Sequence, residues 1–152
     1  MKKLFLFLTV AGLSLTSCSS DDSGSGVGSS SVNLSVDGVA KTYTTVAVTQ
    51  EDYPAEGSYP AYTELQVAAS NSNGTEVLSF YTDEGDLGAD AIYNVSYTLN
   101  GTTYYGYNGG GFTITVSSNS GNHLVGSFNG NMISQNGETE ISVTNGVFDI
   151  RY

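Results

Sequence analysis

Glu140-Ile141-Ser142-Val143-Thr144-Asn145-Gly146-Val147-Phe148-Asp149-Ile150-Arg151-Tyr152 closes the chain with a period of two. Ile141 and Val143 alternate with Glu140, Ser142 and Thr144. Phe148, Ile150 and Tyr152 alternate with Val147, Asp149 and Arg151. Apolar side chains on one face and polar ones on the other are the pattern of half-buried β-strands. Asn145-Gly146 between the two runs reads as a two-residue hairpin turn. That turn pairs Thr144 with Val147, Val143 with Phe148 and Ile141 with Ile150. On the opposite face it sets Glu140 against Arg151, an opposite-charge pair.

The same reading extends upstream. Asn136-Gly137 pairs Met132 with Ile141 and Gly130 with Val143. A loop at Asn119-Ser120-Gly121 sets Val116 against Leu124 and Phe112 against Phe128. Four strands from Phe112 to Tyr152 are therefore expected as one antiparallel meander with a single buried side. A slip of one residue would turn that side outward. Asn73-Gly74 pairs Ala69 with Leu78 and Val67 with Phe80, and Asn100-Gly101 pairs Tyr97 with Tyr104. Asp37-Gly38 forms a first hairpin whose register sets Leu34 against Lys41, a conflict that an edge strand or a longer loop would resolve.

No segment sustains a 3.6-residue period, and the nineteen glycines punctuate the chain as turn residues. The expected fold is all-β: an antiparallel β-sandwich or flattened barrel of about 8–10 short strands, in meander or Greek-key order, without substantial helix.

The start of the chain reads differently. Met1-Lys2-Lys3 precedes an apolar run from Leu4 to Leu15, then Thr16-Ser17-Cys18. About twelve apolar residues are too few to span a bilayer, which takes ~20. Two lysines, a short apolar core and small residues before a cysteine are expected to be a lipoprotein signal peptide over 1–17. Cys18 then becomes the acylated N-terminus, and residues 18–31, rich in Ser, Gly and Asp, form a tether. A single domain fills 32–152. The one cysteine is consumed by acylation, so no disulfide forms within the chain.

Fifteen acidic residues face four basic ones, a formal charge of −11, and loss of Lys2 and Lys3 would take it to −13. Such a surface repels phosphate backbones, so nucleic-acid binding is not expected, and it gains nothing from anionic lipid. The membrane link falls to the acyl chains.

Gly126-Ser127-Phe128-Asn129-Gly130, followed by Thr144-Asn145-Gly146-Val147-Phe148, resembles the ending of a family of small Bacteroidota lipoproteins, in which a Gly-x-Phe-x-Gly strand precedes a Thr-Asn-Gly-x-Phe hairpin. The resemblance covers residues 60–152. Its motifs are structural, with glycines for turns and close backbone approach and phenylalanines for core. The family is described as a domain of unknown function, so the resemblance implies no catalytic residues. Ser19-Ser20-Asp21-Asp22 resembles the acidic segment that directs lipoproteins of that phylum to the cell surface. The resemblance thus implies an outer-membrane lipoprotein facing the cell exterior, with a periplasm-facing anchor as the alternative.

Catalytic chemistry finds little material. His123 is the single histidine, expected on a polar strand face, and no serine lies in a nucleophile elbow. Paired carboxylates for glycoside hydrolysis are not selected by spacing in so acidic a chain. Asp83, Glu84, Asp86 and Asp90 fall within eight residues, and Ca²⁺ takes six to eight oxygens. Their spacing differs from the helix-flanked calcium loop, and a solvated acidic loop is the plainer expectation.

Tyrosines are the more suggestive group, eleven with no tryptophan. Tyr53, Tyr59 and Tyr62 lie in a loop that carries both prolines and Tyr-Pro-Ala twice. Tyr104, Tyr105 and Tyr107 run into Asn108-Gly109-Gly110-Gly111. A tyrosine ring offers a flat apolar face and a polar edge to a sugar or a protein partner. The expected role is a lipid-anchored, non-enzymatic binding module for a glycan or partner protein. The alternative is a structural accessory of an outer-membrane complex, and an enzyme working through a carboxylate pair comes third.

Overall fold

A computed structural model describes residues 29–107 and 110–152. Cys18 and the expected signal peptide lie outside the described residues, as does most of the tether. Ten strands and no helix make up the rest. They are β1 (Ser31–Val36), β2 (Val39–Tyr43), β3 (Thr45–Tyr53), β4 (Tyr62–Ser70), β5 (Glu76–Asp83), β6 (Ile92–Leu99), β7 (Thr102–Gly106), β8 (Phe112–Asn119), β9 (His123–Ser134) and β10 (Glu140–Arg151). All pairings are antiparallel, in the order β2-β1-β10-β9-β7-β6-β5-β4-β3, with β8 on β9.

The two ends of that path, β2 and β3, are consecutive in the chain and separated by Thr44 alone. The sheet therefore curls back on itself, as a flattened half-barrel. Rings from its two halves meet inside, Phe80 of β5 lying 5.2 Å from Phe148 of β10. Phe128 and Phe112 continue this aromatic seam.

Upstream, the turn chemistry sets the register as the sequence predicts. Ala69 pairs with Leu78, Val67 with Phe80 and Tyr97 with Tyr104. Leu34 does pair with Lys41, and β2 is an edge strand. Lys41 points inward at the barrel end, where its stem covers apolar surface. Its ammonium meets Glu76 Oε1 at 2.7 Å. Tyr43 donates to Glu76 Oε2 at 2.7 Å, and the Tyr43 and Tyr97 hydroxyls lie 2.8 Å apart. Burial pushes the Tyr97 hydroxyl up to about 12 and raises Tyr43 further.

Downstream, two expectations are overturned. Asn145-Gly146 is not a turn, and β10 runs straight through it. Val143 pairs with Gly130 and Gly146 with Phe128, so Thr144 and Asn145 together oppose Asn129. This is a β-bulge with Asn145 at φ 54°. Three long strands replace the expected four. Glu140 pairs with Ile133 and Arg151 with His123, so the expected Glu140–Arg151 pair does not form. The β8–β9 register also differs by two residues, Val116 facing Gly126 and Phe112 facing Gly130. An even shift keeps the same side chains buried. Met132–Ile141 and Gly130–Val143 pair as expected.

Close approach explains the glycines here. A Cβ on Gly126 would sit 2.2 Å from Phe148 Cζ and 2.3 Å from the Thr115 carbonyl oxygen, and one on Gly146 would sit 2.3 Å from Phe128 Cδ2. Each ring fills the space above a glycine on the neighbouring strand.

Candidate functional site

The loop carrying Tyr53, Tyr59 and Tyr62 folds as a hairpin tip beyond β3 and β4. Tyr53 and Tyr62 are the last ladder pair. Past them Glu56 and Tyr59 exchange backbone hydrogen bonds of 3.1 and 3.0 Å around Gly57, whose φ of 60° suits glycine. Pro54 and Pro60 fix φ on the two arms. The Tyr53 and Tyr62 rings stack at 4.8 Å and 9°. Nothing fits between rings that close, so their outer faces are the usable platform. Tyr59 stands beside them, 77 % exposed.

The acidic turn after β5 forms the opposite wall. Asp86 N–H donates to the Asp83 carbonyl at 3.1 Å, and Glu84 N–H donates to the Thr63 carbonyl at 2.8 Å, which ties the turn to β4. The two segments enclose a cleft of about 560 Å³, with Tyr53, Pro54, Glu56, Tyr59, Pro60 and Tyr62 on one side and Asp83, Glu84 and Asp86 on the other. A second hollow of about 430 Å³ is lined by the same ring pair with Asp52 and Thr63.

Two residues that sequence reasoning missed hold this arrangement. Asn119, 2 % exposed, donates from Nδ2 to the carbonyls of Asp83 at 2.8 Å and Asp86 at 3.4 Å, and accepts from the Tyr152 hydroxyl at 3.1 Å. In the sequence it reads only as a turn residue. Tyr93 lies beside the base of the wall. Its hydroxyl is 2.7 Å from Glu64 Oε2 and 3.0 Å from Asp83 Oδ1, and it gives its one proton to either. Burial first, and then these carboxylates, raise its pKa. Tyr93 also stacks on Tyr81 at 5.9 Å. The neighbouring Glu51 carboxylate raises the Tyr53 hydroxyl in the same direction.

The remaining tyrosines lie elsewhere. Tyr104 is partly buried against the core. Tyr105 and Tyr107 form their own tilted pair at 6.4 Å, and Tyr107 with Tyr93 borders a shallow depression of about 210 Å³. The six tyrosines thus do not share one surface: Tyr53, Tyr59 and Tyr62 line the cleft, Tyr105 and Tyr107 pair elsewhere, and Tyr104 packs on the core.

The four carboxylates weighed as a candidate calcium loop, Asp83, Glu84, Asp86 and Asp90, do not converge. Gly88 exchanges backbone hydrogen bonds of 2.9 and 3.0 Å with Val116 of β8, which carries the chain away before Asp90. Asp90 does not line the cleft. Among the described residues no three His, Cys, Asp or Glu side chains converge to hold a metal ion. His123 Nε2 lies 2.7 Å from Asp149 Oδ1, on strands β9 and β10, and lines none of these hollows.

Comparison with known proteins gives no match: no family model, no curated protein and no solved structure aligns with the chain. Among the described residues no helix is long and apolar enough to cross a membrane.

Proposed function

We propose that this protein is a lipid-anchored binding module of the cell envelope, and that the cleft between the tyrosine tip and the acidic turn takes a neutral glycan. One observation carries the reading. Two segments about twenty residues apart in sequence, one aromatic and one acidic, form the walls of a single cleft. Its volume of about 560 Å³ falls within the range of small-ligand sites. A sugar ring lays its C–H face on a tyrosine ring. Its hydroxyls can donate, and the side chains of Asp83, Glu84 and Asp86 supply acceptor oxygens. The formal charge, −11 for the full sequence and −13 once Lys2 and Lys3 are removed, turns away sulfated and uronic glycans.

The membrane link in this reading is Cys18, acylated after removal of 1–17, at the outer membrane and facing outward. The resemblance to small Bacteroidota lipoproteins and the Ser19-Ser20-Asp21-Asp22 segment support it. Palmitate fed to cells should label the parent and not a Cys18→Ala variant.

A glycan array probed with the full chain tests the ligand. Neutral oligosaccharides should bind, and Tyr53→Ala and Tyr62→Ala should each remove most of the signal. Silence across the array, with specific co-purification of a membrane complex, would replace this reading with that of a structural accessory subunit.

A further inference from the structure

Strand β3 ends the hydrogen-bonded path, and one long side of it has no hydrogen-bonded strand beside it among the described residues. It pairs with β4 through nine successive residues without a bulge. The other edges are protected. β2 has five residues and carries Lys41, and β8 is capped by the Gly88–Val116 bridge. Natural sheets blunt open edges with lysine, proline, bulges or covering loops. From Thr45 to Gln50 β3 reads Thr-Val-Ala-Val-Thr-Gln, with no charge, proline or bulge, and its acidic residues, Glu51 and Asp52, come only towards its end.

Two further observations describe what would lie there. Val46 and Val48 face the core yet stay partly exposed, whereas their partners Ala69 and Val67 on β4 are fully buried. The seam beside β3 leaves them open to water. On the outer face, Glu51, Glu64 and Asp83 stand directly opposite one another across β3, β4 and β5. Like charges in that position repel. The Tyr93 hydroxyl gives one proton to Glu64 or Asp83, but the ion pairs among the described residues are Lys41–Glu76 and His123–Asp149, so no cation meets the row. The row stops at Glu51, on the open edge.

We propose that β3 is a docking edge for an extended segment of another protein. The segment adds as an antiparallel strand, with apolar residues opposite Val46 and Val48 and Lys or Arg opposite Glu51. Main-chain hydrogen bonds supply the attachment and alternate side chains supply the selectivity. A second copy of this chain fits poorly. β3 holds no cation to set against Glu51, and each copy carries a formal charge of −11. This inference uses the strand edge from Thr45 to Glu51 rather than the cleft, which β3 reaches only at Tyr53.

The probe is a synthetic peptide of alternating valine and threonine with a lysine placed to face Glu51, compared with its glutamate counterpart. The lysine peptide should bind the full chain about tenfold more tightly than the glutamate peptide, since both the attraction and the repulsion change. Added salt should narrow that gap, and Glu51→Lys should reverse the preference. Ala47→Pro and Val48→Pro form a second arm. Successive N–H groups of a strand point to opposite sides, so one of the two prolines breaks the β4 ladder and the other faces only the open edge. The variant that keeps the parent melting temperature should lose the peptide. Equal binding of both peptides, binding of neither, or unchanged binding by that stable proline variant would each overturn the proposal. So would a concentration-dependent dimer of the parent that the same proline abolishes.

Discussion

Asn73-Gly74 and Asn145-Gly146 are the same dipeptide between alternating sequences, and the chain reverses at one and continues at the other. Around Gly74 there is open space, and its φ of 70° serves a turn between β4 and β5. At Gly146 a Cβ would meet the ring and the carbonyl of Phe128. The first glycine is needed for backbone conformation and the second for lack of a side chain. A hairpin and a one-residue bulge shift the phase of a period-two pattern in the same way, so Ile141, Val143, Phe148 and Ile150 are all buried in either case. What separates them is the packing partner across the sheet.

Alanine substitution should separate the two kinds of glycine. Gly126→Ala, caught between the Phe148 ring and the rigid Thr115 carbonyl, should cost about 3 kcal/mol or more in urea unfolding. Gly146→Ala should cost ~2 kcal/mol, and Phe128→Leu in the same chain should return the part of that loss due to the ring, while the contact with the Phe128 carbonyl remains. A cost at or below about 1 kcal/mol, as for a glycine in an open turn, would mean that Phe128 does not lie over Gly146 and that β10 turns there after all.

Asn119→Ala should come next. It removes both donors to the acidic turn and the acceptor for Tyr152, at a cost of ~2 kcal/mol. Faster amide exchange at Asp83 and Asp86 than in the β8–β10 core would show that Asn119 positions the cleft wall.

The polar network at the barrel end gives a smaller effect, tied to pH. Lys41 foremost, with Tyr43 and Tyr97, holds the Glu76 carboxyl below its ordinary value of 4.5, against the opposing effect of burial. Its contribution to stability is complete above that ordinary value and fades as pH falls through the lowered one. The parent should therefore lose more melting temperature between pH 7 and pH 3 than Glu76→Gln does. Equal losses would remove Glu76 from the account. Gly74→Ala closes the series at about 1 kcal/mol, the cost of a left-handed conformation with no clash.

The sequence carries most of the fold because local turn chemistry and alternation suffice wherever a strand pairs with its chain neighbour. Ala69–Leu78 and Tyr97–Tyr104 are legible for that reason. The Leu34–Lys41 conflict is legible too, and it marks an inward lysine whose partner, Glu76, lies on a distant strand. The bulge at Asn145 is not legible, since it depends on Phe128 packing over Gly146. The curling of the sheet is likewise a matter of distant contacts, as β10 joins β1 across almost the whole chain. In the candidate site, the tyrosine loop and the acidic turn each stand out by composition. Their meeting does not, because β4 and β5 bring them together and Asn119, some thirty residues further on, fixes one of them.

Amide and tyrosine-ring chemical shifts of the full chain, followed during titration with a neutral oligosaccharide selected on the glycan array, test the central claim most directly. Saturable shifts at Tyr53, Tyr59, Tyr62 and Glu84, with Tyr105 and Tyr107 unmoved, are the expected result. Shifts centred on Tyr105 and Tyr107, or none at the cleft while binding is detected, would contradict it.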